Sequence, residues 1–128
     1  MKTNLRTLFV SILILCFSSC NFFEIKEQVD VIPCNNSSQL QVTDSISNTD
    51  GRITLINVEI DGVQVQRWVI IPDSPKKGVY EACNLPGSVK HKEQTITFSA
   101  FILEDIGSVH DTILNGLTPI EITMLEKY

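Results

Sequence analysis

The sequence predicts an all-β domain, a small closed antiparallel barrel of five strands. Three observations carry that prediction. Short runs with apolar alternation recur through the second half of the chain, turn-forming pairs separate them, and the stretch from Leu85 to Lys92 is too short for a full helix. The clearest turn signal is Asp61-Gly62, which between two β-rich runs specifies an antiparallel hairpin.

The elements follow in order. Asp50-Gly51 reads as a turn, and Arg52 to Ile60 as the first strand. Its alternation slips, because Ile53 and Leu55 share one parity while Ile56, Val58 and Ile60 share the other; a bulge near Leu55 and Ile56 is expected to absorb the slip. Val63 to Ile71 is the second strand, with Val63, Val65, Val69 and Ile71 on one face and Gln64, Gln66 and Trp68 on the other. A loop from Pro72 to Gly78 leads to a short third strand, Val79 to Cys83, and Leu85 to Lys92 has room for one helical turn. Thr95 to Leu103 alternates as a fourth strand, with Ile96, Phe98, Ala100 and Ile102 on one face and Thr95, Thr97 and Ser99 on the other. After a loop from Asp105 to Gly116, Ile120, Ile122 and Met124 alternate in the closing strand. The order β-β-β-α-β-β with a bulged first strand is that of an OB-like β-barrel, its helical turn lying between strands 3 and 4. An open immunoglobulin-like sandwich is the alternative, but it needs ~7 strands.

Upstream, Lys2 and Arg6 precede a run from Leu8 to Phe17 that is apolar except for Ser11, and Ser18 and Ser19 follow. That is the order of a secretory signal peptide, and the run is about half the ~20 residues a spanning helix requires. Phe17-Ser18-Ser19-Cys20 resembles a bacterial lipobox, although Phe17 replaces the usual aliphatic residue. The resemblance implies cleavage before Cys20 and lipid attachment there, with acyl chains such as palmitate; several chains hold a protein to a bilayer far more firmly than one. Cys16 is the poorer anchor because Leu15 is too large for the position before the cut, and a plain secreted protein is the bland alternative. Asn21, where inner-membrane lipoproteins carry Asp, implies the outer membrane. The expected organisation is a signal peptide over 1–19, a lipidated tether over 20–48 and the barrel over 49–128.

The mature chain would keep all fifteen acidic residues against eight basic ones, a formal charge of −7. Such a surface argues against nucleic acid and against anionic headgroups as partners. Two cysteines remain, Cys34 and Cys83, which in an exported domain read most simply as a disulfide. Two free thiols or a redox pair are the alternatives, although no C-x-x-C spacing is present.

Further resemblance lies in Ala82-Cys83-Asn84-Leu85-Pro86, Ile96-Thr97-Phe98-Ser99-Ala100 and Thr118-Pro119-Ile120-Glu121-Ile122-Thr123. These look like the Asn-Leu-Pro step, the Phe-Ser-Gly strand and the terminal Pro-Ile-Glu-Ile-Thr strand of small bacterial envelope lipoproteins, with Ala100 where glycine is usual. The resemblance implies an OB-like fold and an envelope location, and brings no activity with it.

Catalytic and metal motifs are missing from the sequence. His91 lies between two lysines, adjacent His110 and Asp111 point apart, and no nucleophile motif, H-E-x-x-H or phosphate loop occurs. Asn48-Thr49-Asp50-Gly51 imitates a calcium loop but lacks its first carboxylate, where Ile46 stands, and its distal glutamate, since Glu59 arrives two residues late. No cofactor or metal is therefore expected. On an OB-like barrel the second and third strands form the usual binding face, which here would hold Trp68, Tyr80, Lys76 and Lys77; the bland reading makes Trp68 a cap on the core. Asp44-Ser45-Ile46 and Asp111-Thr112-Ile113 resemble a bacterial O-glycosylation acceptor, which would put glycans on Ser45 and Thr112. The expectation is a non-enzymatic binding or adaptor module, held at the membrane by its lipid and contacting an envelope protein or glycan. A hydrolase or isomerase without a legible motif is the alternative.

Overall fold

Strands dominate because the sequence supplies β-branched alternation between tight turns. In a computed structural model, residues 24–35, 40–74, 78–105 and 116–128 are described. Among them lie β1 (Glu27–Gln28), β2 (Leu40–Ile60), β3 (Val63–Pro72), β4 (Val79–Ala82), β5 (Gln94–Asp105) and β6 (Leu117–Lys127), in one sheet. A single 3-10 turn, Gly87–Val89, sits between β4 and β5. Strand order runs β1-β6-β4-β3-β2-β5, and β5 also pairs with β6, so β2 to β6 close into a ring.

Three features differ from a five-stranded antiparallel barrel. The sheet is mixed, because β4 runs parallel to β6 from Val79↔Leu117 to Ala82↔Ile120. It also gains a sixth strand, β1, antiparallel to the end of β6. The ring departs from a regular barrel at β3 and β4, which share one bridging pair, Ile70↔Tyr80.

Asp61 and Gly62 adopt φ of 50° and 78°, the positive values that a two-residue hairpin turn of this kind requires. From Gly51↔Pro72 to Ile60↔Val63 the β2–β3 register is unbroken, so the bulge expected near Leu55 and Ile56 is not there. Both parities are apolar for another reason: both faces of the hairpin are covered. Ile53 and Ile70 enter the ring core with Phe98, Ile96, Ile120 and Leu125, and Trp68 packs against that cluster. On the opposite face Val58, Val69 and Leu117 form a second buried cluster, flanked by Ile56, Val65 and Ile71. The Val65-Val69-Ile71 row is therefore separate from the ring core.

The irregularities of β2 lie earlier, on its β5 side, between Val42 and Asp44 and between Ile46 and Thr49. Asn48 at the second has φ 42°. There the strand bends, letting one continuous segment pair with β5 and then with β3 as well. Asp50-Gly51 is consequently strand rather than turn. A Cβ on Gly51 would stand 2.8 Å from the Ile71 carbonyl oxygen, so this glycine serves a close backbone approach. The expected domain boundary at residue 49 falls inside β2.

A second shift alters β6. Ser99 faces Met124 while Ala100 faces Ile122, leaving Thr123 as the extra residue. The inward row therefore runs Ile120, Ile122, Leu125, and Met124 is only half-buried rather than inward as its alternation predicts. Val89, fully buried on the 3-10 turn, is part of the same core.

Candidate functional site

Over its described part the early segment, expected as a tether, lies against the sheet. Residues 24–35 form a strap along the side of β6 that β4 leaves open. One edge of β6 is satisfied in sequence: by β4 up to Ile120, by the Asn84 side chain at Ile122, by Val29 N–H donating to the Leu125 carbonyl at 2.9 Å, and by β1 at Glu126 and Lys127. This accounts for backbone groups that would otherwise be orphaned on a long strand.

Asn84 acts as a substitute peptide. Its amide oxygen accepts from Ile122 N–H at 2.9 Å, and its amide nitrogen donates to the carbonyls of Ile122, at 2.9 Å, and of Ile32, at 3.1 Å. The Asn-Leu-Pro step thus joins the end of β4, β6 and the strap. Next to it Cys34 and Cys83 sit at disulfide-bonding distance, with Cα atoms 5.9 Å apart. At the far end Lys26 donates to Thr97 Oγ1 at 2.9 Å, and Thr97 Oγ1 donates to Asp50 Oδ1 at 2.6 Å. Lys26 Nζ also lies 5.2 Å from the Tyr128 ring centroid, a cation–π distance. Val29 and Val31, between these fastenings, pack against the ring core.

Two grooves flank Cys83. One, about 430 Å³, runs between the strap and Asn84 to Gly87. The other, about 270 Å³, opens where β3 and β4 diverge beyond their single bridge, and brings together Trp68, Arg67, Glu81, Leu85 and Lys90. Arg67 Nη1 spans the split to Glu81 Oε1 at 3.2 Å. An exposed pair of this kind is worth ~0–1 kcal/mol and yields easily to a competing ligand. A space this small admits one sugar ring or one side chain, with an aromatic surface and charged donors and acceptors at its rim.

The residues expected on the binding face therefore separate. Trp68 is half-buried, with part of its ring against the core and part lining the smaller groove. Tyr80 is core: it is 5 % exposed and stands edge-on to Phe98, with ring centroids 6.2 Å apart. Burial, and secondarily the nearby Asp44 charge, raises its phenol above the ordinary range. Ser45 is exposed on β2, opposite Phe101. Cys20, Lys76, Lys77 and Thr112, with His110, lie outside the described residues. Sequence reasoning missed Arg67 and Glu81, because their convergence on this groove depends on where two strands part.

The chain matches no protein-family model, and comparison with curated proteins finds no relative.

Proposed function

We propose that this protein is a lipid-anchored binding or adaptor module of the bacterial cell envelope, without catalysis of its own, and that its ring is a divergent OB-type barrel. The ring order supports the fold reading: a three-strand meander, a parallel closure of third strand on fifth, and a short turn carrying Val89 between third and fourth. Lys2, Arg6, the greasy run and Ser18-Ser19-Cys20 support the anchor, which places the body at a membrane without requiring positive surface charge. One observation carries the binding reading: the Trp68 groove lies between the second and third strands of the ring, where barrels of this type engage ligands. Its chemistry fits a glycan or a peptide side chain of an envelope partner.

The test is affinity capture from solubilised native membranes using wild type, Trp68→Ala and Lys90→Glu. Lys90 is exposed, so its variant keeps the fold intact where truncating Trp68 loosens the core. Both variants are expected to lose the partner that wild type retains; capture unchanged by either substitution contradicts the assignment of the groove.

A further inference from the structure

Cys34 and Cys83 are 49 residues apart in sequence, far from the short C-x2–4-C step typical of structural zinc sites. The fold nevertheless gives them a third polar neighbour. Parallel pairing places Ala82 level with Ile120, Cys83 N–H donates to the Ile120 carbonyl at 3.1 Å, and the next residue of β6 is Glu121. One atom each from Cys34 Sγ, Cys83 Sγ and the Glu121 carboxylate lie within 4.8 Å of one another. A carboxylate only accepts hydrogen bonds and disulfide sulfurs have none to donate, so Glu121 gains nothing from the oxidised pair.

The dithiol form changes this. Two thiolates and a carboxylate are a donor set for zinc, whose bond lengths of ~2.3 Å to sulfur and ~2.0–2.2 Å to oxygen need ligand atoms roughly 3.3–3.8 Å apart. The three atoms already lie within 4.8 Å of one another, so the dithiol form needs the two sulfurs to part and the carboxylate to close on them, and Cys83 is exposed, leaving a fourth position for water.

We propose that when a thiol reductant opens the Cys34–Cys83 bond, the two sulfurs and Glu121 become a zinc site that keeps the strap fastened. In the reduction two electrons pass to the pair, the reductant leaves as its own disulfide, and each cysteine sulfur takes a proton. Zinc then displaces both protons to solvent and is held by two thiolates and the carboxylate. A covalent tie is exchanged for a coordinate one across the same two elements. The proposal stands independently of the groove's role.

The test uses the full chain carrying Cys16→Ser and Cys20→Ser, so that only this pair supplies thiols. Reduced and oxidised samples are titrated with zinc against a chromophoric chelator, and cobalt is substituted to read thiolate-to-metal absorption. One zinc per reduced chain, none on the oxidised chain, a thiolate–cobalt band and weakening by about ten-fold or more in Glu121→Gln are expected. The Glu121→Gln protein is first shown to form the same disulfide and to melt as the parent does. Zinc binding no tighter after reduction, a cobalt spectrum without thiolate absorption, or full affinity in Glu121→Gln overturns the proposal.

Discussion

Asn84 holds three pieces of chain with one amide, and replacing it tests what that is worth. In Asn84→Ala the Ile122 N–H loses its acceptor at a half-buried position, at a cost of about 1–3 kcal/mol. Asn84→Asp keeps that acceptor but sets a carboxylate against the Ile122 and Ile32 carbonyls, so it too is destabilising. Urea denaturation of both variants measures the loss; a midpoint equal to wild type removes Asn84 from the account. Tyr80 makes a prediction about pH. Its phenol is raised in the fold by burial and by Asp44, so the folded state keeps its proton to higher pH than the unfolded chain, where the value is ~10. That contribution to stability is complete below about pH 10 and is lost as pH rises through the folded value. Absorbance at alkaline pH should show a late-titrating tyrosinate that Tyr80→Phe abolishes; titration of both tyrosines together in the ordinary range contradicts the burial. Sequence alone placed Tyr80 on a binding surface because period 2 says which residues share a face, not which face is inside.

Among the elements, the strap has the largest consequence. It satisfies the end of β6, covers part of the core with Val29 and Val31, and is fastened by Lys26 at one end and by the Asn84 contact and the cysteine pair at the other. A closed loop of this length stabilises by about 2–4 kcal/mol, a loss expected in Cys34→Ser and Cys83→Ser. Limited proteolysis should then cut first within residues 24–35; cleavage that begins elsewhere, with unchanged stability, would mean the strap does not depend on this tie. The strands from Arg52 onward and the Asp61-Gly62 hairpin were legible because each rests on local residue chemistry, and the cysteine pairing because only Cys34 and Cys83 remain once Cys16 and Cys20 are set aside. The bulges were not: Asn48 to Gly51 has the composition of a turn but forms a bend inside β2, and Thr123 is an ordinary strand residue made extra by its partner β5. The strap was illegible for a related reason, since Glu27 and Gln28 pair through backbone groups and carry no apolar pattern.

At the scale of the whole molecule, a ring with one loosely joined seam offers a groove at that seam, and a strapped N-terminal segment leads back towards residue 20. In the proposed anchored form, tension on the lipid would reach residues 24–35 and through them β6, beside the cysteine pair. The ring order, parallel closure and seam at β3 and β4 follow from long-range pairing, which no local pattern encodes, whereas the charged, greasy and small-residue order of residues 2–20 is entirely local. The anchor is also the premise on which the envelope reading depends. Mass spectrometry of the N-terminal peptide from protein isolated out of its native membrane tests it most directly. The account predicts a peptide that begins at Cys20 with a diacylglycerol thioether and an acylated amine, and uncleaved precursor in Cys20→Ser; an unmodified Cys20, or normal cleavage of the Cys20→Ser chain, would contradict it.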